Sequence, residues 1–164
     1  MTSKVDLQSI AETHERPFLI IDKDSLIVAA NKAFLDAYGT NLSDVVGQHC
    51  FSVTHGNERP CYEMGEECPN QRILETGEAH SCLHVHTHYD GGKHVHHVRV
   101  KGFPIYLEDG ELYFGELLEE LRVRGEAQQN SQYMAGNSKV FMANCLKSIG
   151  QHVEAKIKPI IGIV

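Results

Sequence analysis

Two short runs of β-forming residues stand ahead of a stretch of helical segments and three longer ones stand behind it, and this order limits what the chain can become. Phe18-Leu-Ile-Ile21 and Leu26-Ile-Val-Ala-Ala30 are joined by Asp22-Lys-Asp-Ser25. The short polar side chains of that link fold back onto their own backbone, so the two runs predict a β-hairpin. Ala79 to Tyr89, Lys93 to Ile105 and Leu112 to Leu121 are the later strand candidates, separated by Asp90-Gly91-Gly92 and Glu108-Asp109-Gly110. Links this short join only antiparallel neighbours. The expected fold class is therefore α+β: one five-stranded antiparallel sheet, with Phe18 to Asp22 as a central strand and the helices on one face.

The helical segments announce their own ends. Asn31 is a capping residue, Phe34, Leu35 and Tyr38 recur at helical spacing, and Gly39 closes the turn. A second short helix is expected from Ser43, with Val45 and Val46 buried and Gly47 as its stop, and a third from Gln71 to Thr76 before Gly77. Ahead of the first strand, Val5 to Thr13 places Leu7 and Ile10 on one side of a short helix that ends before Arg16-Pro17. Gln48 to Asn70, with Pro60, Pro69 and two glycines, reads as irregular and holds three of the five cysteines, which makes it the place to look for function.

Composition excludes several classes of function. Lys+Arg 15 against Asp+Glu 22 leaves a formal charge of −7, without the clustered basic residues that release counterions from a phosphate backbone, so direct nucleic-acid binding is not expected. No run of residues is long and apolar enough for a membrane span, and the N-terminus lacks an apolar signal core, so a soluble, cytoplasmic protein is expected. In a reducing compartment an odd number of cysteines points to free thiols or metal ligands.

The run from Pro17 to Phe34, then Val46-Gly47, Gly102-Phe-Pro-Ile105 and Asp109-Gly-Glu-Leu112, resembles a PAS sensory domain over about Glu15 to Leu121. Gly47, Cys50, His55-Gly56, Pro60-Cys61, Cys68-Pro69 and Thr76-Gly77, followed by His86-Thr87-His88-Tyr89-Asp90, are similar to a cysteine-bearing subgroup of those domains. Further on, Met134 to Phe141 and Lys158 to Val164 resemble the opening of the AAA+ ATPase domain of sigma-54-dependent transcription activators. The resemblance implies a division into an N-terminal helical segment (1–15), a PAS domain (16–121), a linker (122–133) and the start of an AAA+ domain (134–164). It also implies a sensor that binds a small ligand, metal or redox cofactor and controls the ATPase through a dimeric linker. No G-x-x-x-x-G-K-[ST] loop occurs in these residues, and no nucleophile with a base and an orienting partner, so no enzymatic activity is expected.

Cys50, Cys61 and Cys68 with His55 between them form a Cys3His set that zinc accepts and that an iron–sulfur cluster could use with another partner. The same cysteines suit a thiol redox sensor, and equally three small buried side chains lining a cavity. Cys82 falls on a strand and Cys145 on a tail helix, where core packing is the expectation. By strand parity His80, Cys82, His84, His86 and His88 share one face, opposite Leu83 and Val85. With the apolar face turned inward and a β-bulge near His96-His97 bringing Val95, Val98 and Val100 to the core, His94 and His96 would stand across from His88 and His86. That arrangement covers an outer face with histidines and offers a possible second metal site at His84, His86, His88, His94 and His96. Leu117, Leu118, Leu121 and Val123 give the segment from Glu116 to Gln129 the apolar character of a helix that pairs in a homodimer, with Leu7 and Ile10 in the same interface.

Overall fold

The computed structural model describes residues 5–87 and 95–121. His88, His94, the Asp90-Gly91-Gly92 turn, the linker, Cys145 and the AAA+-like segment lie outside the described residues. Five strands, β1 (Phe18–Ile21), β2 (Ile27–Ala30), β3 (His80–Thr87), β4 (Val95–Tyr106) and β5 (Leu112–Glu120), form one antiparallel sheet in the order β2-β1-β5-β4-β3. The helices are α1 (Leu7–Glu12), α2 (Lys32–Tyr38), α3 (Leu42–Val45), α4 (Cys50–His55) and α5 (Pro69–Thr76), with a 3-10 turn at Cys61–Met64.

All four residues of β1 are fully buried, because the strand has β2 and β5 at its edges and packing on both faces. A strand covered on both sides reads as a continuous apolar run, which is what Phe-Leu-Ile-Ile is. Leu19 and Ile21 join Phe34, Tyr38, Val45, Val100 and Leu118 beneath the helices, while Phe18 and Ile20 face Ala11 of α1 and Phe103. Each such side chain contributes about 1.5–3 kcal/mol by leaving water. Helix α1 thus lies on the opposite face from the other helices, its Gln8 amide exchanging hydrogen bonds with the Ala30 backbone at 2.8 and 3.2 Å.

The local signals act as the sequence predicts. Asp22 Oδ1 accepts from the Asp24 and Leu26 backbone N–H groups, both at 2.9 Å, and turns β1 into β2. Asn31 caps α2, accepting from Phe34 N–H at 2.9 Å, and Gly39 ends it at φ 60. Two expectations are corrected. Val46 is exposed, because it already stands in extended backbone after α3. The segment from Gln48 to Asn70 is not irregular throughout: Cys50–His55 is a helix that buries Cys50, Phe51 and Val53.

Gly102 sets how closely α5 approaches the sheet. A Cβ there would stand 2.9 Å from Pro69 Cβ and 3.1 Å from Ile73 Cδ1, so only a residue without one lets the helix settle onto β4.

Candidate functional site

Strand β3 alternates as expected but with its faces reversed. Pairing with β4 is continuous from His80 opposite Gly102 to Thr87 opposite Val95, with no bulge near His96-His97. Side chains paired across two strands share a face. Cys82 stands opposite Val100 and His84 opposite Val98, and since both valines are buried, Cys82, His84 and His86 are buried with them. Leu83 and Val95 face outward, each 48% exposed. The histidine-covered outer face is therefore an interior one. His96 pairs with His86 in the expected register, but on the interior face, where it is half-buried and hydrogen-bonds Glu120 Oε1; His88 and His94, the other members of the expected second site, lie outside the described residues.

Buried imidazoles need partners, and the loops beneath β3 supply them. His55, the last residue of α4, is aimed by the stop at Gly56, whose φ is 68. Its Nδ1 donates to the Val85 carbonyl at 3.0 Å and lies 3.1 Å from Glu66 Oε2, while Nε2 stands 3.5 Å from Cys61 Sγ. His84 Nε2 donates to the Glu67 carbonyl at 2.6 Å, and Cys82 Sγ is 3.3 Å from the same nitrogen. His84 Nδ1 faces His86 Nε2 at 3.4 Å, and His86 Nδ1 is 2.6 Å from Tyr38 Oη. Ligating atoms of His55, Cys61, Glu66 and His84 all lie within 4.8 Å of one another. Burial disfavours the imidazolium and so lowers the pKa of His55, against the pull of Glu66, and holds that of His86 well below the usual range.

The cysteines of the sequence motif share this interior. Cys50, Cys61 and Cys82 belong to the core, and Cys68 packs against it. The Cys61 thiol donates to Cys68, which also takes the Gln71 and Asn70 N–H groups at the start of α5, and together these bring Cys68 down to about 6. Cys61 is pushed up by serving as that donor and by burial, and Cys50 by burial. Beyond them Glu116, in the middle of β5, is buried against Asn70 Nδ2 at 2.8 Å, and desolvation raises its carboxyl to about 8. A cavity of about 220 Å³ adjoins the cluster, bounded by Tyr38, His86, His96, Leu118 and Glu120.

Of the expected Cys3His set, the structure thus brings Cys61 against both His55 and Cys68. Glu66, inward-facing His84 and His86, Tyr38 and Glu116 were not expected. The parity of Val98 and Val100, carried across an unbulged hairpin to Cys82 and His84, is the signal that finds the histidines.

A family model described as the PAS fold matches residues 14–126. No curated protein sequence matches the chain. Among solved structures, a Rhodobacter sphaeroides LOV protein aligns with a TM-score of 0.57 at 16% identity, over 73% of this chain and 68% of its own. A light-oxygen-voltage domain studied with a flavin analogue gives 0.55 at 19% identity, over 88% and 97%. The PAS domain of a Colwellia psychrerythraea protein gives 0.54 at 16% identity, over 69% and 92%. At these identities the likeness is one of fold.

Proposed function

The chain belongs to the PAS family, and from that premise we propose that it is the sensory module of a bacterial sigma-54-dependent transcription regulator, acting in the cytoplasm on an AAA+ domain of the same protein. The observation that carries this reading is a polar interior where a PAS core could have been apolar: His84, His86 and Cys82 are buried beside a cavity whose walls include Leu118 and Glu120. Those two residues stand near the end of β5, which runs directly into the linker. A signal bound in the interior shifts the populations of two strand-end arrangements, by no more than its differential affinity for them. In this reading a homodimer relays the shift through the linker, and the chain itself neither binds nucleic acid nor catalyses a reaction.

Light scattering over a concentration series tests the relay. The intact chain is expected to dimerise, and versions lacking residues before Arg16 or after Leu121 to dimerise more weakly. A monomer at every concentration in all three removes the dimer from the mechanism.

The Cys61 and Cys68 pair favours a second reading, thiol redox sensing, because a lowered thiol pKa beside a hydrogen-bonded partner is the arrangement that a hydroperoxide oxidises. Two thiols would lose two protons and two electrons to the hydroperoxide, which leaves as alcohol and water, and form a disulfide. Peptide mapping after stoichiometric peroxide is then expected to find Cys61 joined to Cys68, and four unmodified thiols at Cys50, Cys61, Cys68 and Cys82 would refute it.

A further inference from the structure

His55 and His84 share a feature that their burial alone does not require. Each donates one ring N–H to a backbone carbonyl, His55 Nδ1 to Val85 and His84 Nε2 to Glu67. A carbonyl can only accept, so both tautomers are set: the lone pairs stand on His55 Nε2 and on His84 Nδ1, the latter accepting from His86 Nε2 at 3.4 Å, and ligating atoms of the two side chains lie within 4.8 Å of each other. Outer hydrogen bonds of this kind are what orient metal-bound imidazoles. Cys61 Sγ lies 3.5 Å from His55 Nε2. Nitrogen and sulfur ligands at ordinary zinc distances and the tetrahedral angle stand about 3.5 Å apart. The Glu66 carboxylate, anchored by the Val85 N–H at 3.3 Å, completes four donors within 4.8 Å.

We propose that His55 Nε2, the Cys61 thiolate, one carboxylate oxygen of Glu66 and His84 Nδ1 form a mononuclear site for a divalent transition metal of the zinc type. Charge supports the assignment: one thiolate and one carboxylate neutralise a divalent cation, so the complete site adds no net charge to a buried volume. Binding releases the Cys61 thiol proton to solvent. It also takes the His84 lone pair from His86, whose proton then moves from Nε2 to Nδ1, where Tyr38 Oη at 2.6 Å accepts it. The ion is thereby connected to α2 and to the cavity wall. The inference rests on the sensory reading only for its purpose: a chain that dimerises but binds no metal fails here and not there, and a monomer that binds metal does the reverse.

The test is titration of the intact, reduced chain with cobalt(II), followed by displacement with zinc(II). One cobalt per chain is expected, with a thiolate-to-cobalt charge-transfer band and visible bands of tetrahedral intensity, all erased by one equivalent of zinc. Cys61→Ser should abolish the charge-transfer band. His84→Gln should weaken binding by more than the roughly 10–100-fold that loss of an outer partner costs. Glu66→Gln, on a partly exposed residue, should weaken binding without endangering the core and serves where the buried substitutions unfold the chain. His97→Gln, on the other face of β4, should change nothing. Failure of the intact chain to bind cobalt, six-coordinate spectra without a sulfur band, or a band that survives Cys61→Ser and depends on Cys68 would each overturn the site.

Discussion

Asn31→Ala is expected to cost the domain about 3–5 kcal/mol, a large part of the stability of an ordinary domain. Asn31 is 1% exposed and makes four hydrogen bonds. Its Oδ1 accepts from the backbone N–H groups of Phe18 at 3.0 Å and Phe34 at 2.9 Å, and its Nδ2 donates to the carbonyls of His14 and Arg16, both at 2.8 Å. One side chain therefore caps α2, starts β1 and holds the segment leading out of α1. Alanine leaves two buried N–H groups without acceptors, each worth about 1–3 kcal/mol, whereas the two carbonyls lie nearer water and recover part of their loss. Asn31→Asp keeps both acceptor bonds but turns a second oxygen toward two carbonyl oxygens, and should fall between alanine and wild type. Urea unfolding measures this as a lower midpoint at unchanged slope. A loss under about 1 kcal/mol, the worth of an ordinary helix cap alone, would show that the four bonds do not act together.

Glu116→Gln is expected to stabilise the domain increasingly as pH rises. The Glu116 carboxyl is raised from 4.5 to about 8, first by burial and then by the charge of Cys68. A carboxyl raised on folding binds its proton more tightly in the folded state. Its contribution is fully present below the unfolded value near 4.5 and is lost as pH climbs through about 8. Every tenfold gain in proton affinity on folding is worth about 1.4 kcal/mol, so the loss amounts to a few kcal/mol at full extent. Two other effects share this range. Lowered His55 and His86 reduce stability as pH falls below 6.5, and Cys68, lowered from 9.0 to about 6, adds stability as pH rises between those values. The difference between wild type and Glu116→Gln isolates the glutamate. That difference should be small at pH 5 and favour glutamine by a few kcal/mol at pH 8, and a difference independent of pH would mean that the carboxyl is ionised in the fold throughout.

Local chemistry made much of the fold legible. Asn31 and Gly39 delimit α2 because a cap and a left-handed stop act within a few residues of where they stand. The Asp22 turn acts over the same range, and Phe18–Ile21 is apolar at every position, so its burial on both faces needs no knowledge of its neighbours. The short links between consecutive strands restrict those pairs to antiparallel pairing, and the PAS resemblance is carried by the residues themselves, from Pro17 to Phe34, Val46-Gly47, Gly102 to Ile105 and Asp109 to Leu112.

The inside of β3 was not legible in this way. Period-two alternation divides a strand into two faces but does not say which one meets the core. Leu83 and Val85 argued for one face, while the buried partners Val98 and Val100 place Cys82, His84 and His86 on the other. The usual preference for apolar burial yields here because the Glu67 carbonyl, 17 residues away in sequence, and the Tyr38 hydroxyl, 48 residues away, supply the hydrogen bonds that make the His84 and His86 imidazoles tolerable in the interior. The sequence by itself determined the strands, their turns, the caps and the cysteine-bearing segment, all of which depend on residues close to one another along the chain. Only the tertiary structure decided that Glu66 and His84 join His55 and Cys61, and that Glu116 lies buried against Asn70, because those meetings depend on strand register and on how closely α5 settles over Gly102.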